Sequence, residues 1–188
     1  MQATAGKKYS AVAMTLHWII AALMIFMLIF GEDLIRVRSG ADAASVTSVG
    51  IFLPSLHVSI GVAILVLTLL RLLWRLVNPP PALPDSMAPW EQLLSKLTHL
   101  AFYLLLIGLP LSGWLSFSHY IIDRPVLAAA RIFGVAGVPS APDLGDVGGA
   151  MHGLGSNVAI ALVILHVLAA LKHHFINRDD VLRRMLPL

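Results

Sequence analysis

The amino-acid sequence predicts an all-α integral membrane protein, a four-helix bundle. Of its 188 residues, 58% are hydrophobic and only 12% are charged, whereas soluble domains average about 25% charged residues. The mean hydropathy is +0.85. Four charge-free runs are each long enough to cross a bilayer, which takes about 20 apolar residues. These runs are Tyr9–Gly31, Ala43–Leu70, Leu97–Ile122 and Val147–Leu171.

We place the four membrane helices near residues 13–31, 54–76, 97–118 and 152–175. Lys7 and Lys8 precede the first run, as they would in a secretory signal, but no small-x-small cleavage pattern follows. The first run is therefore expected to be a retained helix. The proline-broken link "NPPPALPDSMAPW" between helices 2 and 3 is too short for a domain. Residues 1–188 are accordingly predicted to form a single transmembrane domain.

The connection over residues 119–150 is longer and contains the apolar stretch "PVLAAARIFGVAGVP". Such a segment is expected either to lie on the membrane surface or to fold over the bundle as a lid. The C-terminal tail "NRDDVLRRM" is predicted to be a solvated or membrane-surface helix.

Basic residues predict the orientation, because lysine and arginine concentrate in cytoplasmic loops. With both termini cytoplasmic, nine basic residues lie inside and four lie outside. The inner nine are Lys7, Lys8, Arg71, Arg75, Lys96, Lys172, Arg178, Arg183 and Arg184, and the outer four are Arg36, Arg38, Arg124 and Arg131. In a bacterium this describes a multi-pass protein of the inner membrane.

Composition also excludes several classes of protein. The sequence pI near 9.6 follows from the basic inner segments, and since no nucleic-acid-binding motif is present we expect no nucleic-acid partner. The chain has no cysteine. Disulfides, iron–sulfur clusters, thiolate haem ligands and covalent haem attachment are therefore ruled out.

Histidines are unexpectedly frequent in the fourth apolar helix, "MHGLGSNVAIALVILHVLAALKHH". His152, His166 and His173 are separated by 14 and 7 residues, so they share one helix face. His152 and His166 would lie about 21 Å apart along that face, at a rise of about 1.5 Å per residue. Intramembrane ionisable side chains are rare and usually functional.

The alternating helix directions give each histidine a depth in the membrane. His57 of helix 2 and His152 of helix 4 share the outer level. His166 shares the inner level with either His17 of helix 1 or His99 of helix 3. Two levels of histidines from different helices are what two stacked bis-histidine haems require.

Small residues surround these histidines and bear on whether a porphyrin fits. Helices normally pack 8–10 Å apart, too close for a macrocycle between them. Glycine beside a ligand would leave room for its edge, although small residues also let membrane helices pack closely. The residues concerned are Gly61, Gly108, Pro110, Gly113, Gly148, Gly149, Gly153 and Gly155.

Other classes remain open from the pattern alone, among them a histidine-lined metal or proton transporter and a structural four-helix protein. A zinc or proton carrier would be expected to place carboxylates beside its histidines. Here every Asp and Glu falls in a predicted loop or tail.

Four segments resemble the bacterial cytochrome b561 family, which is related to the cytochrome b subunits of nickel–iron hydrogenases and formate dehydrogenases. They are "MTLHWIIAALM", "LHVSIGVAILVLTLLRLLWRLVNPPP", "HLAFYLLLIGLPLSGW" and "MHGLGSNVAIALVILHVLAALKHHFINRDDVLRRMLP". The resemblance implies two haem b groups. His17 and His166 would be the axial iron ligands of the inner haem, and His57 and His152 those of the outer haem. The resemblance gives His99 no role as an iron ligand.

The resemblance also implies function: a membrane oxidoreductase that passes electrons from the periplasmic side to ubiquinone. Some family members resemble superoxide oxidases, so a superoxide:ubiquinone oxidoreductase is expected. The alternative within this fold is a membrane anchor or relay that takes electrons from a periplasmic redox partner. Stacked haems suit both, because electrons cross a bilayer only in short hops.

Candidate substrate residues lie at the two faces. On the inner side, His173 is favoured as a quinone partner and His99 comes next. On the outer side, Arg36, Arg38, Arg124 and Arg131 are candidates for steering an anionic donor. Six acidic residues oppose these four arginines in the outer loops, for a net charge of −2, so attraction of superoxide would depend on a local funnel formed by Arg36 and Arg38 or by Arg124 and Arg131.

Overall fold

The computed structural model describes residues 8–35, 48–84, 86–123, 125–144 and 146–186. It confirms the predicted fold class, because four helices are long and apolar enough to cross a membrane. They are α1 (Ala11–Ile35), α2 (Ser48–Val77), α3 (Pro89–Asp123) and α4 (Asp146–Lys172). A π-helical turn, His173–Asn177, follows α4 directly.

Each helix begins before the span expected from sequence, and two of them contain a proline. Pro54 lies inside α2, where it is fully buried, and Pro110 lies inside α3. Proline is tolerated in membrane helices because neighbouring groups can satisfy the backbone that it leaves unpaired. Pro54 therefore does not mark the start of α2.

The two ends of the bundle differ in charge. We call the end where α2 and α4 finish the basic end, and the other, which carries a short hairpin, the hairpin end. The described basic residues at the basic end are Lys8, Arg71, Arg75, Lys96, Lys172, Arg178, Arg183 and Arg184. The positive-inside pattern predicts that the basic end faces the cytoplasm.

The four helices pack unevenly around the core. α1 packs against α2, and α3 against both α2 and α4, whereas α1 and α4 touch at few points. An apolar cleft of about 220 Å³ separates α1 from α4 at mid-depth. Its walls are Ile25, Leu28, Ile29, Ile160, Val163 and Ile164. The buried core consists of Ile20, Met24, Ile64, Leu106, Leu109 and Ala159.

Several glycines that sequence placed near a haem instead bring α3 and α4 together. A Cβ at Gly148 would lie 2.9 Å from the Ser116 backbone nitrogen, and one at Gly155 would lie 2.9 Å from the Leu109 side chain. Close packing thus accounts for both. Gly61 differs, since it is half-buried and no atom lies within 4 Å of a Cβ built on it.

The long apolar connection folds onto the flank of the bundle. It forms the strands β1 (Arg131–Ile132) and β2 (Ala136–Gly137). The Arg131 and Phe133 backbone N–H groups donate to the Ser55 and Ser59 hydroxyls of α2, at 2.9 and 2.7 Å. These serines lie two residues to either side of His57, so they face away from it. The hairpin covers the side of α2 and is not a lid over His57.

The C-terminal residues 178–186 form a folded segment, so the prediction of a solvated or surface helix is wrong. The backbone turns at Arg178 with φ 56°, and a short 3₁₀ helix follows at Arg183–Met185. The Tyr9 N–H donates to the Arg184 carbonyl at 3.2 Å. The Trp18 indole donates to the Met185 carbonyl at 2.8 Å. These bonds attach the segment to the start of α1.

Candidate functional site

His57 of α2 and His152 of α4 meet at the hairpin end, with ring centroids 6.1 Å apart. The His57 Nδ1 lies 2.9 Å from the Gly31 carbonyl oxygen of α1, and the His152 Nδ1 lies 2.9 Å from the Leu109 carbonyl oxygen of α3. Because a carbonyl only accepts, each Nδ1 carries the proton and donates it. Nε2 is then the unprotonated nitrogen in both rings, the form that binds a metal.

A glycine of a neighbouring helix lies beside each of these two rings. A Cβ at Gly113 would lie 3.0 Å from the Cε1 atom of His152, tighter than an ordinary contact. A Cβ at Gly31 would lie 3.6 Å from the Cε1 atom of His57. The absence of a side chain at Gly113 therefore lets His152 approach the α3 backbone and reach the Leu109 carbonyl.

His17, His99 and His166 come together nearer the basic end. The His166 ring lies 6.4 Å from the His17 ring and 6.0 Å from the His99 ring, centroid to centroid. Phe102 of α3 packs edge-on against His166 at 5.2 Å. The structure thus forms both groups that the sequence predicted, and His166 faces both of its possible partners.

The ring separations fit a haem iron with two axial histidines. Two imidazoles on opposite sides of one ion have centroids ~6 Å apart, since a metal–nitrogen bond is ~2 Å and the nitrogen lies ~1 Å from its ring centre. Within the described ranges, no group of three or more His, Asp or Glu side chains could hold a metal ion by itself. A histidine pair is nevertheless a complete axial ligand set for haem.

Arg71 brings positive charge to the basic-end histidines. Its Nη1 donates to the Ala13 carbonyl at 2.9 Å, one turn before His17 in α1. Arg71 also lines a crevice between α1 and α2, together with Tyr9, Ala13, Trp74, Arg75, Asn78, Pro80 and Tyr103. A tethered guanidinium at this level is suited to hold a carboxylate such as a haem propionate.

The predicted quinone residues lie in different surroundings. His173 is buried, with 8% of its surface exposed, and its Nδ1 lies 2.5 Å from a carboxylate oxygen of Asp179. His99 contacts His166 instead, within the basic-end histidine group. Asp179 leaves no signal in the sequence, because its contact with a histidine six residues away spans the π-helical turn and matches no helical spacing.

Of the four predicted donor-steering arginines, Arg131 is described. Its guanidinium is exposed at the base of the hairpin and lies 3.4 Å from the Val135 carbonyl oxygen. Arg36, Arg38 and Arg124 lie outside the described residues.

Four membrane helices with histidines at two matched levels, and no cysteine for covalent attachment, are the features expected of a membrane-bound b-type cytochrome of the bacterial inner membrane. The family model described as prokaryotic cytochrome b561 matches residues 8–188. The chain belongs to this family. Membership implies haem b and replaces the transporter and structural classes considered from the sequence alone.

Curated relatives agree with the family and span nearly the whole chain. Cytochrome b561 homolog 2 of Escherichia coli is 33% identical over 184 residues, covering 96% of this chain and 92% of the relative. A probable superoxide oxidase of Yersinia pestis is 31% identical over 191 residues, covering 96% and 97%. Cytochrome b562 of Cereibacter sphaeroides is 30% identical over 182 residues, covering 95% and 94%.

Proposed function

We propose that this protein is a di-haem superoxide:ubiquinone oxidoreductase. His57 and His152 hold one haem b at the hairpin end, and His17 and His166 hold the other nearer the basic end. The electron enters at the periplasmic hairpin end and leaves to ubiquinone at the cytoplasmic basic end. The balanced reaction joins two superoxide anions, one quinone and two protons to give two dioxygen molecules and one quinol.

The observation that carries the proposal is the paired hydrogen bonding of His57 and His152. Each ring donates a hydrogen bond from Nδ1–H to a backbone carbonyl of a different helix, and the two ring centroids are 6.1 Å apart. An iron-ligating histidine characteristically donates its other N–H in this way. Two such rings from different helices, each with Nε2 left as the unprotonated nitrogen, form the donor pair that a haem iron needs.

Helix packing favours His17 over His99 as the partner of His166. The ring separations alone do not distinguish the two, since His166 lies 6.4 Å from His17 and 6.0 Å from His99. An apolar cleft lies between α1, which carries His17, and α4, which carries His166, so there is space between these two helices for a flat macrocycle. We therefore propose that His17 and His166 would hold the second haem, which leaves His99 free of ligation.

Bound haem supplies reversible one-electron chemistry at its iron. The chain's contribution is to fix the imidazoles, exclude water and set the spacing. His152 and His166 lie 14 residues apart on one helix, about 21 Å at a rise of 1.5 Å per residue. This spacing divides the bilayer into shorter intervals for electron transfer. Arg71 stabilises added negative charge beside the basic-end histidines.

The proposed donor is superoxide, in keeping with the relative named a probable superoxide oxidase. Arg131 stands exposed at the hairpin end, where a cation would raise the local concentration of a small anion. The net charge of −2 in the outer loops opposes this attraction at long range, so we assign steering to the arginines at short range.

Replacing Arg131 with glutamine should slow haem reduction by a superoxide pulse about two- to fivefold, because one attracting charge is lost. Wild-type reduction should slow as salt rises, since screening acts over about 10 Å at ~0.1 M. Arg131→Lys is the control, as it keeps the charge and should stay near the wild-type rate. Rapid-mixing absorbance in the haem band measures all three proteins.

A different donor would give a different result. If superoxide does not reduce the haems but a periplasmic cytochrome or dehydrogenase reduces them rapidly, the superoxide oxidase proposal is wrong and the relay function remains.

A further inference from the structure

A buried histidine–carboxylate pair lies at the basic end, apart from both proposed haem sites. The α-helical path of α4 stops at Lys172, and the π-helical turn that follows places His173 at its start. Arg178 takes the left-handed conformation, and the Asp179 N–H then donates to the His173 carbonyl at 3.2 Å. The chain thereby folds Asp179 back beneath the His173 ring.

The pair is held in one geometry. Both side chains are only 10% exposed, and the His173 Nδ1 lies 2.5 Å from the Asp179 Oδ2. The other carboxylate oxygen, Oδ1, accepts the Val181 N–H at 3.1 Å. The side-chain amide of Asn177 lies 3.2 Å from the same Nδ1. Because the Nδ1–H group donates a hydrogen bond to the carboxylate, Nε2 is the nitrogen that is available to exchange a proton with another molecule.

A second ion pair lies beside the first. The Lys172 Nζ bonds Glu91 of α3 at 2.5 Å, and the Glu91 side chain is only 11% exposed. The same ammonium lies 5.8 Å from the Trp90 ring centroid. The charged groups around His173 are thus Asp179 from its own segment, Glu91 from α3 and the neighbouring Lys172.

We propose that Asp179 is a positioning residue that holds His173 as the proton donor for quinone reduction, with protons entering from the basic end. This inference rests on the proposed function. The quinone receives two electrons through the bundle, and its two oxygens take two protons to give the quinol. At one quinone oxygen, the His173 Nε2–H bond breaks and an O–H bond forms, while the other oxygen takes its proton from water at the basic end. Water at the basic end then reprotonates Nε2, while Asp179 stays a carboxylate.

Quinone reduction by this route would move charge across the membrane. Electrons arrive from the hairpin end and protons from the basic end, so both move charge across the membrane in the same electrical sense. In sealed vesicles with the basic end inside, quinone reduction by an external donor should make the lumen alkaline and negative.

The test compares Asp179→Asn with Asp180→Asn, an adjacent carboxylate whose Oδ1 bonds Arg184 instead of His173. Haems are reduced in advance, and their reoxidation by a water-soluble ubiquinone analogue is followed in light and heavy water. We expect Asp179→Asn to slow reoxidation at saturating quinone at least about tenfold, the scale of general-acid catalysis, and to enlarge the solvent isotope effect. Asp180→Asn should stay within about twofold of wild type. Both should keep the wild-type haem spectrum.

His173→Gln is the second variant, and it should slow the same step at least as much as Asp179→Asn does. Wild-type reoxidation rates in Asp179→Asn, or slow rates accompanied by a changed haem spectrum, would overturn the inference while leaving the proposed function intact. Wild-type haems that no ubiquinone analogue oxidises would overturn both.

Discussion

Replacing His152 or His57 with alanine is expected to halve the haem content, leaving one haem b per chain. Each of these residues is proposed to supply one of the two iron ligands at the hairpin end, and the basic-end histidines do not contact either ring. The remaining haem should titrate as a single component in a redox titration. A pyridine haemochrome assay against protein concentration gives the ratio.

A pair of glycine variants separates ligation from general damage to the helices. Gly113→Val should act like His152→Ala, because even its Cβ would lie 3.0 Å from the His152 ring. Gly108→Val is the control in the same helix, since no atom lies within 4 Å of a Cβ there. Full haem content in His57→Ala and His152→Ala would show that these two residues are not ligands.

Replacing His166 or His17 with alanine is expected to remove the other haem, whereas His99→Ala should keep both. His166 is the ring that the basic-end group shares, and the cleft between α1 and α4 favours His17 as its partner. The three variants are compared by haem count and by low-temperature spectra in the α-band region. Loss of one haem in His99→Ala, with both kept in His17→Ala, would reverse the assignment.

Much of the fold follows from the sequence because apolar length and charge-free runs directly reflect the thickness of a bilayer. Those features predicted four membrane helices, and four are observed among the described residues. The C-terminal segment could not be predicted in the same way. Its structure depends on Tyr9 and Trp18 donating to its backbone, and such contacts across more than 160 residues leave no local pattern.

The histidine levels were also predictable, because heptad spacing and alternating helix direction fix depth. Their partners were not. The groups that orient His57 and His152 are backbone carbonyls of Gly31 and Leu109, and every residue carries a carbonyl. The contact of Asp179 with His173 could not be predicted either, since a π-helical turn and the left-handed conformation of Arg178 bring the two side chains together. Sequence periodicity encodes helix faces and does not encode breaks in the helix.

The haem-to-chain ratio of the purified wild-type protein tests the central claim most directly. Protein made in haem-replete cells should be red, with a reduced spectrum typical of b-type haem and a pyridine haemochrome ratio of two haems per chain. Two components of comparable amplitude should appear in its redox titration. A ratio of one haem per chain, or a colourless preparation, would contradict the account.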